Sequence, residues 1–104
     1  MLVVYISSTP GNWKVKHRQQ RIIDLLSSLK IPYEVRDISQ CEDSKIFMTK
    51  ALQAIGKRAT APQLFYGDEY IGGYDELMDA NECERLSDFL RVEVNRTPME
   101  FTTT

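Results

Sequence analysis

The chain has 104 residues, 42% of them apolar and 27% charged, with a formal net charge of −2. These values describe one domain that can bury a core without metal or disulfide staples. The nearly balanced charge gives no electrostatic footprint for nucleic acid or an anionic membrane, and no apolar run is long enough to span a bilayer.

Residues 2–7 open with Leu2-Val3-Val4-Tyr5-Ile6, an apolar, β-branched run that predicts a buried strand. Met1 leads into it with no basic segment and no cleavage site, so no signal peptide and a cytoplasmic setting are expected. Turn chemistry from Ser7 to Asn12 breaks the strand, and Asn12 is the expected N-cap of a first helix. On that helix Val15, Ile22, Leu26 and Leu29 share one face with Ile23 beside them. Lys14, Lys16, His17, Arg18 and Arg21 form a charged run, read as a solvated face. Trp13 at the loop–helix junction either packs on the sheet edge or stands exposed as a contact anchor.

Ile31-Pro32 stops the helix, and Tyr33, Val35 and Asp37-Ile38 predict a second strand. Ser39-x-x-Glu42 reads as a capping box opening a second helix, on which Phe47, Ala51 and Ile55 recur every four residues until Gly56 stops it. Gln63 to Tyr66 predicts a third strand and Tyr70-Ile71 a fourth, joined by a tight turn at Gly67-Asp68. Gly72-Gly73 let the backbone turn into a helix starting at Tyr74 or Asp75, with Asp75 serving as N-cap. Asn81-x-x-Glu84 reads as one more helix start, with Cys83, Leu86 and Leu90 on an apolar stripe, so a buried Cys83 is expected. Residues 92–104 are polar and aperiodic and read as a flexible tail, which leaves residues 1–91 as the domain.

The order β-α-β-α-β-β-α calls for a right-handed βαβ unit followed by an antiparallel hairpin. That is an α/β fold with a four-stranded mixed sheet flanked by helices, the thioredoxin-type arrangement. The order resembles that of glutaredoxins, and "TAPQLFYGDEYIGGYDEL" is similar to their second half. Thr60-Ala61-Pro62 stands where that family has a threonine, a small residue and a cis-proline, and Gly72-Gly73 where it has its paired glycines. A narrower resemblance is to the SH3-domain-binding glutamic-acid-rich-like proteins, a glutaredoxin-fold family. It is carried by the Val4-Tyr5 strand, the cysteine-free first loop, Gln19-Gln20, Asp37-Ile38-Ser39 and "APQLFYGDEYIGGYDEL".

Glutaredoxin chemistry needs a low-pKa cysteine at the N-terminus of the first helix, where backbone N–H groups and the helix dipole stabilise a thiolate. This chain has no cysteine before Cys41, and its two cysteines, Cys41 and Cys83, form no CxxC pair and suggest no metal site. Ser7, Ser8 and Thr9 are too weakly acidic to substitute. No catalytic residue is therefore expected, and the chain is read as a redox-inactive adaptor or modulator that binds protein partners. The resemblance implies a ligand or peptide groove formed by Thr9, Pro10, Trp13, Thr60, Ala61, Pro62, Gly73, Tyr74 and Asp75. In this fold the residue before the proline offers its main chain to an extended peptide, which Ala61 can do whatever its side chain.

Glutathione is not expected as a cofactor beyond weak binding, because Asp75 and Glu76 stand at the helix start where its carboxylate would sit. The alternative is a weak glutathione-dependent thiol protein using Cys41, which the capping pattern puts at a helix start. The family also suggests SH3 contact through Pro62, Gln63, Leu64 and Phe65. SH3 domains grip PxxP segments, however, and Pro10, Pro32, Pro62 and Pro98 each stand alone.

Overall fold

The spine of the molecule is β1 (Leu2–Ile6), the apolar run that opens the chain. In the computed structural model, which describes residues 1–9 and 11–91, it pairs in parallel with β2 (Tyr33–Asp37) on one side. On its other side it pairs antiparallel with β3 (Gln63–Tyr66), which in turn pairs antiparallel with β4 (Glu69–Gly73). The strand order is β2-β1-β3-β4. The sheet is thus the mixed four-stranded one that the element order required, with β2 and β4 at its edges. The expectations for Pro10 and for a tail over 92–104 lie outside the described residues.

Side chains alternate across a strand, so β1 feeds two cores. Leu2 and Val4 point to one face, where they meet Ile22 and Leu26 of α1 (Trp13–Ser28), Leu77 and Ala80 of α3 (Tyr74–Glu82), and Leu86 and Leu90 of α4 (Leu86–Leu90). Val3 and Tyr5 point to the other, where Phe65 joins Met48 and Leu52 of α2 (Glu42–Gln53). Tyr5 and Phe65 meet edge to face with centroids 4.9 Å apart, and Phe65 meets Tyr70 in the same way at 5.3 Å. Ala61–Pro62 is a cis peptide, as the resemblance implied.

Four local expectations need correction. Ser39 does not cap α2; Cys41 is its N-cap, and the Ser39 hydroxyl donates instead to Asp37 Oδ1 at 2.6 Å. The buried face of α2 is Ser44, Met48 and Leu52, one residue on from the expected stripe. Phe47 and Ala51 border the core, but Ile55 lies past the end of the helix and is exposed, because the chain has already turned toward Gly56 at φ +72°. Asn81 starts no helix: α3 runs through it to Glu82, and α4 begins only at Leu86 with Arg85 as N-cap. Cys83 therefore caps the C-terminus of α3 and is exposed, while Leu86 and Leu90 of the same expected stripe are buried.

Gly72 does more than allow a turn. A Cβ there would stand 2.6 Å from the Phe89 ring, so the missing side chain lets α4 close over β4. The α2 correction sets a direct test by urea denaturation. Met48→Ala should cost about 2–5 kcal/mol, as buried truncations do. Ile55→Ala should stay within about 0.5 kcal/mol, as surface changes do. Equal losses at the two positions would restore the stripe read from sequence.

Candidate functional site

Asn12 starts α1 as expected, its side chain accepting a hydrogen bond from the Val15 N–H at 3.0 Å. About two turns in, Gln19 turns its amide under the end of β1 and is buried. Its Nε2 donates to the Ser7 carbonyl at 3.0 Å and its Oε1 accepts from the Ser7 N–H at 2.8 Å. A neutral amide has one donor and one acceptor end, so it satisfies both main-chain groups of Ser7 where the strand ladder has run out. The sequence marked Gln19 only through the resemblance. Its spacing, three residues before Ile22 and seven before Leu26, puts it on the inner face of α1, and that is the physical signal.

Asp37 holds the next residue. Its Oδ1 accepts from the backbone N–H groups of Ser8 at 3.1 Å and Ser39 at 2.9 Å, besides the Ser39 hydroxyl. Ser8 and Ser39 also share a hydroxyl–hydroxyl bond of 2.8 Å, and Gln40 Nε2 reaches the Ser8 hydroxyl at 3.3 Å. Burial pushes the Asp37 carboxyl up, but the hydrogen bonds from Ser39 and Ser8 outweigh it and hold the group at about 2. The first loop is thereby fastened to α1 on one side and to the end of β2 on the other.

Beyond this loop lies a concavity of about 660 Å³ between the end of β1 and α1, lined by Thr9, Trp13, Lys16, Gln20 and Ile23 among others. Trp13 is 75% exposed rather than packed on the sheet edge, and its ring meets that of His17 edge to face with centroids 6.4 Å apart. His17 is exposed, as a solvated face requires.

The other groove residues gather elsewhere. Thr60, Ala61, Pro62, Gly73, Tyr74 and Asp75 line a second concavity of about 260 Å³, together with Arg18, Lys57, Arg58 and Glu76. The nine residues expected in one groove therefore divide: Thr9 and Trp13 on one opening, six on the other, and Pro10 outside the described residues. The division follows from helical geometry, since Arg18 projects from a different face of α1 than Trp13, Lys16 and Gln20. Arg18 lies over the Tyr74 ring, 5.2 Å from its centroid, and so ties α1 to the start of α3.

Asp75 is not the N-cap of α3. Gly73 holds that place, and Glu76 reaches back to accept its N–H at 2.8 Å. The other oxygen of Glu76 lies 3.9 Å from Lys57 Nζ. Gln63, buried in β3, donates to the Thr60 carbonyl at 2.7 Å and accepts from the Tyr70 hydroxyl at 3.0 Å, which fixes the chain entering β3. Pro62, Gln63, Leu64 and Phe65, the segment expected to contact SH3 domains, are all buried, with Pro62 and Gln63 in the wall of the second concavity.

Cys41 is exposed at the start of α2, and the hydroxyl and backbone N–H of Ser44 lower its thiol from the ordinary value. Among the described residues no group of three or more His, Cys, Asp or Glu side chains could hold a metal ion, and no helix is long and apolar enough to cross a membrane.

The Asp37 arrangement predicts an acid limb in stability. Its folded value of about 2 lies below the unfolded 3.8, so the contribution is complete above pH 3.8 and is lost as pH falls through 2. Thermal melts between pH 5 and pH 2 should therefore show a smaller acid loss for Asp37→Asn than for the parent chain. Parallel curves would remove Asp37 from the account.

Comparison with known proteins agrees with this fold. A sequence model of the family described as "SH3-binding, glutamic acid-rich protein" matches residues 1–93. The SH3 domain-binding glutamic acid-rich protein homolog of Drosophila melanogaster is 37% identical over 102 residues, covering 88% of this chain and 65% of its own length. The chain thus spans somewhat less than two thirds of that relative. Among solved structures, the C. albicans actin interacting protein Aip5 superposes with a TM-score of 0.70 at 34% identity, covering 86% of each chain. The buckwheat glutaredoxin–glutathione complex gives 0.66 at 28% identity, covering 86% of this chain and 76% of the other. Fold and sequence agree, and the chain belongs to the family of SH3-binding, glutamic acid-rich proteins, built on the glutaredoxin fold.

Proposed function

We propose that this chain is a non-catalytic, cytoplasmic adaptor domain that holds an extended segment of a partner protein against the main chain at Ala61. The observation that carries this reading is the second concavity. Main chain and the side chains of Arg18, Arg58 and Tyr74 wall it, and the paired register of β3 begins only at Gln63, so Ala61 precedes the ladder. Main-chain groups recognise an added strand whatever its sequence. The first loop, where this fold carries its nucleophile in redox enzymes, has no thiol. The names of an SH3 domain-binding relative and an actin interacting neighbour are in keeping with protein partners. An SH3 domain would read exposed surface here, since residues 62–65 are buried.

Glutathione binds weakly in this reading. Arg18, Lys57 and Arg58 attract a carboxylate, but Glu76 already accepts the Gly73 N–H at the helix start, and Asp75 adds a second negative charge. A second reading, glutathione-dependent thiol chemistry at Cys41, draws on the exposed thiol and its downward shift.

One isotope-labelled sample separates the two. On titration with glutathione, amide shifts should stay unsaturated below about 1 mM. Titration with a panel of SH3 domains should give, for a binding member, shifts gathered at Thr60, Ala61, Tyr74 and Asp75. Disulfide reduction coupled to glutathione should match the blank. Turnover abolished by Cys41→Ser would overturn the adaptor reading in favour of the second.

A further inference from the structure

We propose that β2 is a self-pairing edge, through which two copies of this chain join antiparallel with Val35 on the two-fold axis. The proposal is independent of the cleft at Thr60 and Ala61. Among the described residues β2 has one strand partner, β1, and its outer edge is unpaired. Ile38 donates its N–H to the Ile6 carbonyl at 2.9 Å, so the main-chain groups of Glu34 and Arg36 point inward with it. Those of Tyr33, Val35 and Asp37 then point to the free edge. The Asp37 carbonyl already accepts from Gln40 and Cys41, which leaves its N–H for pairing. Val35 is 43% exposed, an apolar residue in the middle of this edge.

The side chains select both the partner and the register. Glu34 and Arg36 share the α2 face of the sheet and are bridged at 2.7 Å. With Val35 opposite its own copy, those two residues exchange both hydrogen bonds. Each Asp37 N–H meets the Tyr33 carbonyl of the second copy. Glu34 then stands opposite Arg36 of the second copy, and Arg36 opposite its Glu34. These are non-hydrogen-bonded positions, where cross-strand side chains come closest.

A two-fold centred one residue earlier puts Glu34 against Glu34, and one residue later puts Arg36 against Arg36. A centre moved by half a residue mismatches donors and acceptors. Only the Val35 register is complementary in both main chain and charge. Edge charges of a single sign blunt pairing; alternating charges spaced two apart instead fit a second copy of the same strand. A five-residue edge makes a small contact, at the transient end of interface sizes.

The test is sedimentation velocity on the full chain up to about 1 mM, at about 0.15 M salt so that exposed long-range charge effects are screened. The parent chain should show reversible dimers, and Val35 amide exchange should slow with rising concentration. E34R and R36E should each be folded and monomeric, since each places like charges opposite one another. An equimolar mixture of the two should form the heterodimer, because opposite charges are restored at both cross-strand positions. A monomeric parent chain, a dimer surviving in either single variant, or a mixture that stays monomeric would overturn the proposal.

Discussion

Every part of this domain depends on β1 being buried on both faces and along both edges. Its residues Leu2 to Tyr5 are nearly inaccessible, and their side chains alternate between a core under α1, α3 and α4 and a second under α2. A strand in that position has no polar face to spare, which is why the run is apolar at consecutive positions rather than at every second one. Its ladder fixes where β2 and β3 begin and end. Because Ile6 pairs with Asp37 and Tyr5 with Gln63, the loop after β1, the end of β2 and the entry to β3 are set at one end of the sheet.

That end is where the fold carries its polar chemistry, and this chain spends it on structure. Gln19 closes the main chain of Ser7, while Asp37 gathers Ser8 and Ser39. Glu76 closes the main chain of Gly73, and Gln63 links Thr60 to Tyr70. Each is a side chain satisfying backbone groups that the ladders and helices leave over, the accounting that any buried strand end must meet. The opening that results carries Arg18, Lys57 and Arg58 beside Asp75, with Glu76 occupying the helix start. The two openings, one beside Trp13 and one beside Arg18, lie on different faces of α1.

Much of this was legible in the chain. The β1 run, the Asn12 cap, the Gly67-Asp68 turn and the apolar positions Ile22 and Leu26 act locally, through steric and hydrogen-bond preferences that a short segment carries with it. The less legible points were those where a residue had two suitable employments. Ser39 can cap α2 or bond Asp37, and the approach of Ser8 from across the sheet favours the second. Asn81 can start a helix or continue one, and the packing of Ala80 and Leu77 in the core keeps α3 running past it. Ile55 keeps the four-residue spacing, but the core it would need ends at Leu52.

The sequence by itself determined the element order, the burial of the first strand, and the absence of a thiol from the first loop, because these follow from composition and periodicity within single segments. Only the tertiary structure decided that the groove residues face two openings, that Glu76 rather than Asp75 serves the start of α3, that Trp13 is exposed, and that residues 62–65 are enclosed. Each of these depends on which face of one element meets another. Such meetings are fixed by the pairing of β1 with its neighbours and by the rotation of α1 upon it, over separations that no local pattern spans.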